Sequence, residues 1–182
     1  MRLNLPVTGH ELEYAEHDML VSMTDRTGVI THCNAAFTRV AGYRCDELLG
    51  QPHNLIRHPD MPSEAFRDMW ATLREGQPWS GLVKNRRKNG DHYWVVANVT
   101  PVITHGKVTG YMSVRTRASR QQIQGAEALY RQMNQERARG VLRIRLHHGA
   151  VQARGWQKLG RWARHGKGLL PGTVGGAVAP GL

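Results

Sequence analysis

Cysteine is nearly missing from the 182 residues: there are two, Cys33 and Cys45, neither in a CxxC nor beside a histidine at zinc-like spacing. That excludes a zinc ribbon or a disulfide framework and favours a reducing, cytoplasmic compartment. Long apolar runs are missing too. The N-terminal "MRLNLPVTGHELE" has no signal-peptide core, and the C-terminal "GLLPGTVGGAVAPGL", broken by Gly and Pro, falls short of the roughly 20 apolar residues of a spanning helix. Acidic residues are scarce at one end. Residues 1–118 hold 14 Lys plus Arg against 12 Asp plus Glu, whereas residues 119–182 hold 11 against 2, so most of the net charge of +11 sits in the tail. Ten histidines are present without HExxH or His-x-His spacing, which argues against a metal centre.

What is present is a core-forming fraction of 40% hydrophobic residues, patterned in two periods. "LVSMTDRTGVITHCN" predicts two short strands around a turn on Asp25 and Gly28. Asn34 is placed to cap a helix carrying Phe37, Val40 and Ala41, and the short "CDELLG" follows. Ser63 stands at an N-cap position before Phe66, Met69, Trp70 and Leu73, which recur at helical spacing as far as Gly76. From Trp79 the period becomes two, with turns at Asn89-Gly90 and Gly106, predicting three antiparallel strands. The order describes an α+β domain with helices over one face of a single sheet. A capping box at Ser119 and Gln122 starts an exit helix with Ile123, Ala126, Tyr130 and Met133 on one face. "VLRIRLHHGAVQARGW" alternates like a small hairpin turning near Gly149, and the chain beyond Trp156 reads as a poorly ordered basic end. The organisation expected is a cap over 1–18, a sensor domain over 19–118, an exit helix over 119–139 and a basic extension over 140–182.

The stretch "NLIRHPDMP" sets Arg57, His58 and Asp60 together. No nucleophile on a strained turn accompanies them, so an enzyme is not expected. Two readings stay open: a surface loop with an Arg57–Asp60 pair, or a grip for a nucleotide, with Arg57 offering a fork to phosphate. Asn85 on an otherwise apolar strand, with Trp79 opening that strand, reads either as an edge residue and a core filler or as the wall of a heterocycle site.

Taken together, "PVTGHE", "ITHCNAAFTRVAGYRCDELLGQPHNLIRHPDMP" and "MWATLREGQPWSGLVKNRRKNGDHYWVVANVTPV…GYMSVRTRA" resemble a PAS domain of the aerotaxis-receptor type, over about residues 6 to 118. The resemblance implies a PAS fold, a five-stranded antiparallel sheet with helices over one face holding non-covalent FAD as a redox sensor. It places Arg57, His58 and Asp60 among the determinants of FAD binding, with Asn34, Trp79 and Asn85 around the pocket. The related LOV photoreceptors carry a reactive cysteine where this chain has Asn54, so a cysteinyl photoadduct is not expected. The same likeness sets Arg115 near a flavin-sensing glutamine. A cation there favours a reduced, anionic flavin if it points inward.

Aerotaxis receptors continue into a membrane anchor, a HAMP segment and a methyl-accepting domain, which this sequence does not display. The expectation is therefore output to a chemotaxis or other signalling protein in trans, or a shortened relative. A homodimer and peripheral contact of the basic tail with anionic lipid at the inner membrane face are open, and nucleic acid is disfavoured because no recognition-helix or RNA motif occurs. The rivals are a heme oxygen sensor with His58 or His92 as axial ligand, and a PAS dimerisation adaptor with a nucleic-acid-binding tail.

Overall fold

The computed structural model describes residues 3–153, and the reading of a poorly ordered end after Trp156 lies outside them. Two strands open the domain, β1 (Leu20–Asp25) and β2 (Ile30–Cys33). Asp25 makes their turn, its Oδ1 accepting from the backbone N–H groups of Thr27 at 2.8 Å and Val29 at 3.0 Å. Helix α1 (Ala35–Ala41), the short α2 (Cys45–Leu48), a 3-10 turn at His53–Ile56 and α3 (Ser63–Arg74) follow. The chain then returns as β3 (Trp79–Arg86), β4 (His92–Thr104) and β5 (Lys107–Arg117), and leaves through α4 (Arg120–Ala138). A two-stranded ribbon, β6 (Ile144–His147) and β7 (Ala150–Ala153), closes the described chain.

Strands β1 to β5 form one antiparallel sheet in the order β2-β1-β5-β4-β3. Alternation along the strands decides what each face carries. Tyr93, Val95, Ala97 and Val99 of β4 are buried under α1 to α3, with Tyr111, Ser113 and Arg115 of β5 on the same face. The opposite face is covered as well, which the sequence reading did not expect. Ile123, Ala126, Tyr130 and Met133 of α4 are buried, the Tyr130 ring stacks on Trp94 of β4, and its hydroxyl donates to the Leu82 carbonyl at 2.5 Å. Ser119 starts α4 by a reciprocal capping box with Gln122.

Helix α3 begins one residue earlier than the N-cap reading placed it. Pro62 occupies the cap position, and Ser63 is the first helical residue. The residues before β1 are also tied down: the Asn4 amide donates to the carbonyls of Asn54 at 2.8 Å and Arg57 at 2.9 Å, and Arg86 Nε donates to the Pro6 carbonyl at 2.8 Å.

The ribbon β6–β7 docks on α3 through two carboxylates four residues apart, on one helix face. Glu64 Oε1 accepts from the Leu146 N–H at 3.2 Å. Asp68, 1% exposed, accepts from the N–H groups of His148 at 3.0 Å and Gly149 at 2.7 Å, and from the Trp79 indole at 2.8 Å. Gly149 has φ of +79°, and a Cβ there would stand 1.8 Å from the Ser80 carbonyl oxygen, so only glycine lets the turn lie so close to β3.

Candidate functional site

Between the inner sheet face, the 3-10 turn and helix α3 lies a cavity of about 350 Å³, within the range of small-molecule sites. Alternate residues of the strands form one wall: Trp79, Val83 and Asn85 from β3, Ala97 and Val99 from β4, Tyr111, Ser113 and Arg115 from β5. Phe66, Met69, Trp70 and Leu73 of α3, the residues with helical spacing in the sequence, form the opposite wall. The 3-10 turn supplies His53, Asn54, Ile56 and the neighbouring Arg57.

Four polar side chains of this wall are incompletely satisfied. Arg57 Nε, Asn85 Nδ2, Ser113 Oγ and Arg115 NH1 are buried and have no hydrogen-bond partner. Buried polar atoms are otherwise almost always paired, because leaving one unpaired costs about 1–3 kcal/mol. Of the seven such atoms among the described residues, four converge on this cavity, where a ligand would satisfy them, and three, on His92, Tyr93 and Trp94, lie off it. No Asp or Glu is among the lining residues.

The two guanidinium groups are held in different ways. Arg57 lies over the Phe66 ring at 3.8 Å, and its NH2 reaches the Met61 carbonyl at 3.4 Å. Arg115 is 3% exposed and inward-facing, which settles the strand parity the sequence left open. Its NH2 donates to Ser22 Oγ at 2.9 Å and to His53 Nε2 at 2.5 Å, and its carbon stands 5.0 Å above the Phe37 ring. Burial lowers the pKa of both to about 10, with Arg137 adding to the shift of Arg57, so both remain cations at pH 7. Burial and, next, the charge of Arg115 push His53 down to about 3. His53 is thus neutral, and accepting from Arg115 at Nε2 puts its own proton on Nδ1.

Of the residues singled out in the sequence, Arg57, Trp79, Asn85 and Arg115 line the cavity, and Asn34, His58 and Asp60 do not. Asn34 is a clamp: its Oδ1 accepts from Phe37 N at 2.9 Å and Val21 N at 3.0 Å, while Nδ2 donates to the Met19 carbonyl at 2.8 Å. The Arg57–Asp60 pairing of the surface-loop reading does not form. Asp60 accepts instead from Lys84 Nζ at 2.7 Å, and its backbone N–H donates to His58 Nδ1 at 3.1 Å. Burial opposes the ionisation of Asp60, but Lys84 outweighs it and its pKa falls below the ordinary carboxylate value. Burial and Lys84 hold His58 near 4. His58 and His92 stand edge to face at 5.6 Å, off the cavity wall.

Sequence reasoning missed Ser22, His53 and Ser113. The period-two alternation that carries Arg115 inward also carries Ser113, so that signal was available; the Ser22–His53–Arg115 cluster joins three distant segments and leaves no local trace. Spacing also missed the two cysteines, whose sulfurs lie 3.2 Å apart.

Residues 30–115 match the family described as PAS fold. The chain carries a PAS domain. It is similar to the aerotaxis receptor of Escherichia coli strain K12, 52% identical over 150 residues that cover 82% of this chain and 29% of the receptor. It is also 35% identical to a nitrogen fixation regulatory protein of Klebsiella pneumoniae over 52% of this chain and 19% of that protein. The chain thus spans less than a third of these relatives. Among solved structures, the PAS fold is shared with a LOV domain described under "Flavin Analogue Sheds Light on Light-Oxygen-Voltage Domain Mechanism", at TM-score 0.55 and 20% identity over 65% of this chain and 88% of that one. A PAS domain from Colwellia psychrerythraea superposes at TM-score 0.52 and 19% identity over 55% and 86%. No described helix is long and apolar enough to cross a membrane.

Proposed function

We propose that the cavity binds FAD without a covalent bond, and that the domain is a redox-sensing input for aerotaxis-type signalling. The observation that carries this reading is the unbalanced charge of the wall, the buried Arg115 and half-buried Arg57 guanidinium groups facing a cavity without an acid among its lining residues. Two fixed cations suit an anionic, phosphate-bearing ligand, for which the planar arginine fork is well matched. The Asn85 amide and the Ser113 hydroxyl suit the carbonyl and nitrogen edge of a polar heterocycle. Aromatic side chains from both walls supply flat apolar contact. The likeness to an aerotaxis receptor and to LOV domains supports the same choice.

A bound flavin supplies reversible electron uptake with a change of charge and protonation on its ring. The chain's own residues prepare for that change. Ser22 and His53 hold one nitrogen of Arg115 and leave NH1 for the ligand, so the cation stabilises negative charge arriving in the cavity. Arg57, Asn85 and Trp79 are assigned to ligand contact. His58 and Asp60 are assigned to holding the Arg57 loop against Lys84, and Asn34 to fixing α1 under Phe37.

Output runs through β3, which faces both sides. Trp79 on the cavity wall donates to Asp68, which holds the β6–β7 turn, and Leu82 accepts from Tyr130 of α4. A gained or lost buried hydrogen bond of about 1.4 kcal/mol moves a two-state balance of these contacts tenfold. The receiver is assigned as a chemotaxis-type signalling protein in trans, with self-association and contact of the basic tail with anionic lipid as further routes. The heme rival has less support, since His58 and His92 lie off the wall, and the Nε2 of His53, the one histidine among the described lining residues, is taken by Arg115.

The absorption spectrum of the purified protein tests the reading. Flavin bands in the blue and near ultraviolet are expected, diminished in Arg57→Ala and in Asn85→Ala. A Soret band, or full FAD occupancy in both variants, would overturn it.

A further inference from the structure

Cys33 ends β2 and Cys45 opens α2, and both thiols are free. Their sulfurs stand 3.2 Å apart, already in contact, so a bond of roughly 2.05 Å requires a closure of only about 1.2 Å. The pair is asymmetric: Cys33 is buried and Cys45 is exposed. Among the described residues no third ligand joins them, so this is not a metal site. Cys33 pairs with Ser22 in the β1–β2 ladder, and Ser22 is the residue that holds Arg115. The segment between the cysteines is α1, whose Phe37 stacks parallel to His53 at 6.1 Å.

We propose that Cys33 and Cys45 are a reversible dithiol–disulfide pair that reacts with hydroperoxides, a second redox input beside the cavity. The Cys45 sulfur attacks a peroxide oxygen. An S–O bond forms, the O–O bond breaks, and the leaving hydroxide takes the thiol proton as water. The Cys33 sulfur then attacks the Cys45 sulfenic acid; the S–S bond forms as the S–O bond breaks, and the hydroxyl leaves with the second thiol proton as another water. Two thiols lose two electrons and two protons, and one hydrogen peroxide becomes two waters. A small dithiol reverses the step by exchange. Burial, with the hydrogen bond to Cys45, raises the Cys33 thiol to about 11, so the exposed Cys45 is the sulfur that meets peroxide first and the contact at 3.2 Å delivers Cys33 to it. The disulfide closes the loop around α1 and so ties down the helix beneath the Arg115–His53 corner.

The test uses the whole chain, fully reduced and then treated with a stoichiometric amount of hydrogen peroxide, with acid quench, maleimide alkylation and intact mass. It is read on protein thiols with or without flavin, so it stands apart from the cofactor reading. Both thiols should disappear together with a loss of about 2 Da, without covalent dimer, and dithiothreitol should restore them. Cys33→Ser should stop at a Cys45 sulfenic acid that dimedone traps, and Cys45→Ser should react at least roughly tenfold more slowly. Retention of both thiols in the wild-type protein, sulfinic acid at Cys45, or intermolecular disulfide as the main product would overturn the proposal.

Discussion

Replacing Asp68 by alanine should release the β6–β7 ribbon and weaken the whole domain. The carboxylate is buried and accepts three N–H groups, from Trp79 Nε1 at 2.8 Å, Gly149 at 2.7 Å and His148 at 3.0 Å. Hydrogen bonds to a charged group are worth about 1.5–3 kcal/mol each, but the two turn amides recover water once the ribbon lifts. The Trp79 indole cannot recover it as readily, being 3% exposed, and an unpaired buried donor costs about 1–3 kcal/mol. With the partial exposure of Leu146 added, the expected loss is about 2–4 kcal/mol. Asp68→Asn is the finer probe. Its amide oxygen can keep the two donors now on Oδ2, while its NH2 meets the His148 N–H, so the cost should fall to about 1–2 kcal/mol. Urea unfolding gives the global numbers, and hydrogen exchange at Leu146, His148 and Gly149 reports the ribbon itself. Unchanged protection of these three amides in Asp68→Ala, with stability within about 0.5 kcal/mol of wild type, would refute the reasoning.

Arg115→Met should lower flavin occupancy and make the bound flavin harder to reduce, because the cation no longer meets the incoming negative charge. A loss of about 1.4 kcal/mol corresponds to roughly 30 mV in a two-electron potential, readable by spectroelectrochemical titration. Gly149→Ala should mimic Asp68→Ala in hydrogen exchange, since its Cβ cannot fit beside the Ser80 carbonyl. Acid should destabilise the domain through His53. Its folded pKa of about 3 lies below the ordinary 6.5, so its contribution is complete above pH 6.5 and is lost as pH falls towards 3. Between pH 7.5 and pH 5 the His53 share of the drop in the urea midpoint should be the equivalent of about 1–2 kcal/mol, and His53→Gln should remove that share while leaving the part due to His58.

The elements were legible where local chemistry dictates them: Asp25 at its turn, Asn34 and Ser119 at helix starts, Asn89-Gly90 between β3 and β4. Strand order was not legible from these signals, because β1 pairs with β5 across some 90 residues and nothing in either strand alone names its partner. The cavity was half legible. Arg57, Trp79 and Asn85 drew attention as polar or aromatic residues in unusual surroundings, Arg115 only through the likeness to LOV domains, and each lies on its wall. His58 and Asp60 drew the same attention, yet Lys84, a residue no motif marked, holds Asp60 away from the cavity. Glu64 and Asp68 carried no signal in the sequence, because their partners include backbone amides some 80 residues later. Period two along β6 predicted a ribbon but could not say that it docks.

The tie from Asn4 to the Asn54 and Arg57 carbonyls bears on how the protein should be handled. A tag or fusion partner joined at the N-terminus pulls on a side chain that braces the same turn from which Arg57 enters the cavity. A label on the exposed side of α4 avoids that lever, and flavin content compared between the two placements would gauge how strongly the first residues set the affinity of the last arginine of the "NLIR" turn.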